Sequence, residues 1–143
     1  MILTLKTTLI RGMYCDREWS ANIELDESST LEVLHDAIQM AVDFENDHLF
    51  CFFLSRTDRS RSREYFDDEN GLLFTKTLAE MFPLARHQSL FYLFDWGDSW
   101  IFKISPTRKR LQEPATGVTY PRVVGELGTK PLQYPMHDED DDE

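Results

Sequence analysis

A chain of 143 residues has the size of one domain and can bury a core without disulfide or metal staples. Hydrophobic residues make up 41% and aromatics 13%, which excludes a wholly disordered chain. The formal net charge of −11 excludes a nonspecific nucleic-acid binder of the usual basic kind, and no run approaches the roughly 18 apolar residues of a membrane-spanning helix.

The first ten residues alternate. Leu3, Leu5 and Leu9 fall on one face, with Thr4, Lys6 and Thr8 on the other, the period of a half-buried strand. Trp19, Ala21, Ile23 and Leu25 repeat the pattern against Ser20, Asn22, Glu24 and Asp26. The connection over 11–16 closes these two into an antiparallel hairpin. Ser29-Thr30-Leu31-Glu32 reads as a capping box with Ser29 at the N-cap. Leu31, Leu34, Ile38 and Val42 then lie on one helical stripe, and the helix ends near Asp43-Phe44.

Residues 48–54 form a nearly continuous apolar run, read as a strand buried on both faces. The stretch 55–71 is polar and aperiodic, a long excursion. Leu78, Met81 and Phe82 predict one short helix over 75–82, stopped by Pro83. Leu90–Phe94 and Ser99–Ile104 are a second pair of strands around the turn Asp95-Trp96-Gly97-Asp98, in which Gly97 is expected to supply the positive φ.

After residue 105 the composition changes. Five of the six prolines and three of the six glycines fall there, so an irregular segment is expected, with Val123-Val124 as a short edge strand. The whole is expected to be a single α+β domain over 1–136, followed by a disordered acidic tail over 137–143. Its architecture is a mixed or antiparallel sheet of about five strands covered by one main helix, in a β-grasp-like order ββαβ-short α-ββ.

Cys15 and Cys51 are the only cysteines, and no CxxC pair is present, which excludes a zinc ribbon. The N-terminus lacks the pattern of a signal peptide. A cytoplasmic location is therefore expected, with no cofactor and no membrane partner.

Three stretches carry a likeness to a known family. The helix reads LEVLHDAIQMAVDFENDHL, the second hairpin LFYLFDWGDSWIFKI, and the late segment YPRVVGELGTKPLQYP. Together they resemble the plasmid pRiA4b ORF-3-like family in the LH..IQ helix, the DFGDSW hairpin and the YPRVV..G..P.QYP end. Trp96 stands where that family usually has Phe or Tyr. The resemblance implies the fold and a setting among bacterial genomes and mobile elements. It implies no defined activity. Some relatives are labelled resolvases, but Ser55, Ser60 and Ser62 lie in a polar loop without a base, so the chemistry of a serine recombinase is missing.

The candidate functional cluster is His35, His48, Asp95, Asp98, Trp96 and Trp100. Asp95 and Asp98 at a hairpin tip could hold a hard cation or perform acid–base work, and His35, His48 and Asp98 are the candidate metal ligands. The simpler reading makes the aspartates acceptors of turn amides, the histidines hydrogen-bonded packing residues and the tryptophans packing or surface aromatics. Arg56, Arg59, Arg61 and Arg63 could contact phosphate, or form a solvated loop paired with Glu64, Asp67 and Asp68. No catalytic triad, zinc signature or phosphate-binding glycine loop is present. The expected function is thus a non-catalytic protein-interaction module with a protein partner, supported by Tyr120, Tyr134 and the negative charge. The rivals are a metal-dependent enzyme acting on a phosphate ester or nucleic acid, and a DNA-contacting accessory of a mobile element working through the 56–63 loop.

Overall fold

The computed structural model describes residues 1–13, 15 and 17–134. The expected tail over 137–143 lies outside the described residues. Ten elements follow in order: β1 (Ile2–Arg11), β2 (Trp19–Asp26), α1 (Leu31–Val42), β3 (Phe50–Ser55), β4 (Glu64–Phe66), α2 (Leu72–Thr75), α3 (Leu78–Met81), β5 (Ser89–Phe94), β6 (Trp100–Pro106) and β7 (Arg122–Gly128).

The strands make one seven-stranded sheet in the order β4-β3-β5-β6-β1-β2-β7, and every pairing is antiparallel. The α+β class thus stands, while five strands and one main helix become seven strands and three helices. The two additional strands lie at the sheet edges. β4 arises inside the polar 55–71 excursion, where three residues are too few to show a period. β7 runs seven residues rather than two, because pairing with β2 extends it past Gly125.

Helix α1 begins one residue later than the capping box suggested. Thr30, not Ser29, is the N-cap, and its side chain accepts from the Val33 amide. The full capping box occurs instead at α3, between Thr77 and Glu80. The single helix expected over 75–82 is α3, shortened to Leu78–Met81, and α2 is a further helix before it, separated from it by the extended Lys76 and Thr77. Leu31, Leu34, Ile38 and Val42 are fully buried under α1. Each such side chain contributes about 1.5–3 kcal/mol on transfer from water.

The two faces of the sheet differ. Leu5, Ile23, Phe52, Tyr92, Phe94, Phe102 and Ile104 point toward the helices and join the main core with residues of all three helices. The opposite face carries a second, smaller cluster drawn only from strands: Cys51, Phe53, Phe91 and Ile101. Register aligns one row of side chains across this helix-free face: Tyr65, Phe53, Phe91, Lys103, Thr8, Ser20 and Leu127. Its β3–β5–β6 half is aromatic and its β1–β2–β7 half polar.

Candidate functional site

The β5–β6 turn places the aspartates. Asp95, nearly buried, adopts a positive φ of 66°, as does Ser99 at 54°. Gly97 does not, contrary to expectation; Asp tolerates the left-handed region because its short side chain bonds locally. Asp95 Oδ1 accepts from the amides of Gly97 (3.0 Å) and Asp98 (3.3 Å), so Asp95 caps the turn and Asp98 enters that arrangement through its backbone amide. Partial burial, followed by the charge of Asp95, pushes the Asp98 carboxyl above its ordinary range.

His48 joins this turn. Its Nε2 lies 3.4 Å from Asp95 Oδ2, 3.7 Å from Asp47 Oδ1 and 2.6 Å from the Tyr134 hydroxyl. Tyr134 donates to Asp47 Oδ2 at 2.7 Å, so its oxygen accepts from His48 Nε2–H. The Asp47 carboxylate pushes the Tyr134 phenol up to about 12 and is itself held lower by that bond. Gln133 is buried beside them, bonded to Asp47 Oδ1 and the Glu45 amide. The C-terminal strap is thereby tied to the segment between α1 and β3.

His35 is not part of that group. It is buried on α1, stacked flat on Phe50 with centroids 3.4 Å apart. Gln39 donates to the Tyr92 hydroxyl, which leaves the Tyr92 proton for His35 Nδ1. His35 Nε2–H then donates to Asn46 Oδ1 at 2.7 Å. Both ring nitrogens of a neutral imidazole are thus satisfied, and neither is left to ligate a metal. His35 and His48 each approach Phe94, with ring centroids 6.5 Å and 5.9 Å from it. Among the described residues no group of three or more His, Cys, Asp or Glu is arranged to hold a metal ion.

The two tryptophans separate. Trp100 is wholly buried against Phe44, with Gly12 packed so closely that a Cβ there would lie 2.6 Å from the indole. Trp96 is 52% exposed. It borders a cleft of about 330 Å³ on the helix-free face, with Tyr65, Asp67, Ser99, Leu93 and Cys51 as the other lining residues. Burial, then the nearby Asp67 carboxylate, pushes the Cys51 thiol up to about 12, so it is no nucleophile at neutral pH.

The arginine loop also divides. Arg63 lies 4.1 Å above the Phe53 ring and donates to the carbonyls of Ser60 and Asp58, and Asp58 pairs with Arg11 of β1 at 3.0 Å. The loop is therefore folded against the second cluster, held by aromatic and carbonyl contacts rather than by the expected acids Glu64, Asp67 and Asp68. Arg56, Arg59 and Arg61 are exposed, with no ion pair among the described residues.

Sequence reasoning missed Tyr65, Leu93, Tyr92, Gln39 and Asn46. One signal was available. In both 50–54 and 90–94 the two alternating sets are equally apolar, which requires something to cover each face.

A search of curated proteins finds no match. A crystal structure of a protein of unknown function from Methanosarcina mazei Go1 is similar at 25% identity and a TM-score of 0.64, over 87% of this chain and 68% of that one. The family model for the plasmid pRiA4b ORF-3-like protein matches residues 14–133, nearly the whole described chain, and the chain belongs to that family.

Proposed function

We propose that this chain is a non-catalytic protein-interaction module that receives its partner at the Tyr65–Trp96 cleft. One observation carries the reading: two large aromatics, 43% and 52% exposed, flank a recess with Leu93 and Cys51 among its lining residues. Trp and Tyr dominate binding energy at such surfaces. Asp67 borders the recess, exposed Asp68 and Glu69 follow it, and the chain as a whole is acidic. The partner is therefore one that presents lysine or arginine, whose cation gains about 0.5–2 kcal/mol over an aromatic face. The family name supports a setting on mobile elements. No observation of comparable weight favours a metal-dependent enzyme, since His35 is consumed by Tyr92 and Asn46.

Trp96 supplies its own probe, because Trp19 and Trp100 are buried. Titration with a short arginine-rich peptide should shift Trp96 emission and saturate. Capture from a host lysate should recover a protein with the native chain and lose it with a folded Tyr65→Ala/Trp96→Ala double variant. Equal recovery by both would sink the reading.

A further inference from the structure

The other half of the helix-free face has a different chemistry. A trough of about 620 Å³ lies over β1, β2, β6 and β7, lined by Lys6, Ser20, Asn22, Ser105, Thr107 and Arg108. Leu127 and Pro106 add apolar wall. The volume is in the range of small-molecule sites.

The charge balance inside the trough is opposite to that of the chain. Lys6 and Arg108 have no ion pair among the described residues. Two neighbouring acids, Glu24 and Glu126, are already matched, and Glu18 lies outside the trough in the adjoining recess that Lys6 also borders. Glu24 is held between Lys109 at 2.9 Å and Arg122 at 2.8 Å. Glu126, which also lines the trough, accepts from Trp19 Nε1 at 2.6 Å and from Lys130 at 3.0 Å. Two cations are left facing hydroxyl and amide donors. The Thr107 hydroxyl is already committed to the Thr4 carbonyl, so the donors that remain are Ser20, Ser105 and Asn22.

We propose that this trough binds a phosphate monoester of nucleotide size. Two cations match a dianionic phosphate, the Arg108 guanidinium offers a bidentate fork, and Lys6 supplies a point charge. The remainder of the ligand packs on Leu127 and Pro106. A long polyanion is disfavoured, because the net charge of −11 repels it beyond the trough. The site is separate from the Tyr65–Trp96 cleft and does not depend on it.

The test is a titration of the full chain, followed by amide NMR shifts, with adenosine 5′-monophosphate, adenosine and inorganic phosphate as probes. The monophosphate should shift the amides of Lys6, Ser20, Asn22 and Ser105 saturably. Inorganic phosphate should move the same amides more weakly, and adenosine should leave them in place. Lys6→Gln and Arg108→Gln should each weaken binding about tenfold with unfolding unchanged, since both side chains are at the surface. Arg59→Gln, an exposed arginine outside the trough, should have no effect. The proposal is overturned if the monophosphate gives no saturable shift, if adenosine binds as tightly as the monophosphate, if inorganic phosphate binds as tightly as the monophosphate, or if Arg59→Gln weakens binding as much as Arg108→Gln.

Discussion

The phenol of Tyr92 stands 2.5 Å from Nδ1 of His35, 57 residues earlier in the chain, and so ties strand β5 to helix α1. Gln39 and Asn46 complete the network: Gln39 donates to Tyr92, Asn46 donates its amide to Gln39 Oε1, and His35 donates to Asn46. Every polar group in it finds a partner only while His35 is neutral.

That requirement sets a pH dependence. Burial lowers the His35 pKa, with the Asn46 bond and the Asp36 charge opposing. The unfolded chain takes up a proton at this histidine near pH 6.5, where the folded chain does not. The unfolded state then binds more protons, so stability rises with pH. The His35 contribution is full above about pH 6.5 and is lost progressively as pH falls from there toward the folded pKa. Urea midpoints of the native chain and of His35→Gln, compared from pH 8 to 5, should converge as the pH falls. Parallel curves would show that His35 does not titrate on unfolding.

Tyr92→Phe removes one oxygen and strands two buried groups, His35 Nδ1 and Gln39 Nε2. Leaving buried polar groups without partners costs about 1–3 kcal/mol, more than the gain from a less polar ring. Chemical denaturation should show that loss at unchanged m-value. A neutral or stabilising result would mean that water or rearrangement replaces the phenol.

Gly128 has a φ of +82°, and a Cβ placed there would lie 2.1 Å from the Glu18 carbonyl oxygen. The clash is with backbone and not with a flexible side chain, because Gly128 pairs with Trp19, so it is relieved only if edge strand β7 moves off β2. Gly128→Ala should therefore destabilise by about 2 kcal/mol or more and release β7. Amide exchange at Val123–Leu127 should accelerate ahead of that in β5. Unchanged protection of β7 would contradict the close approach.

The two thiols should differ in reactivity. Cys15 is half-buried, whereas Cys51 is buried within the second cluster, at the floor of the Tyr65–Trp96 recess, with its thiol pushed up to about 12. An aromatic disulfide reagent at neutral pH should label Cys15 in the folded chain and reach Cys51 only at the rate of unfolding. Rapid modification of both would mean that the loop over Phe53 opens readily.

Strands β1 and β2 and helix α1 were legible because each obeys a period that local chemistry imposes. Alternation marked Ile2–Arg11 and Trp19–Asp26, and the Leu31, Leu34, Ile38, Val42 stripe marked α1. The likeness of the late YPRVV segment and the FDWGDSW hairpin to a family also survives comparison with the family model. Positive φ at Asp95 rather than Gly97 was not legible, because the choice depends on Asp95 bonding Gly97 and Asp98 while facing His48.

What the amino-acid order determined alone was which residues turn inward, since burying apolar side chains at a regular spacing needs only the chain's own geometry. Which inward residues meet was decided by the tertiary structure. His35 faces Tyr92 and not His48, Arg63 lies on Phe53, and Lys6 shares a trough with Arg108. These pairs are brought together by how helix α1 and the connecting loops pack on a seven-stranded sheet, and that packing, like the strand register beneath it, is a property of the whole sheet that no short stretch of sequence encodes.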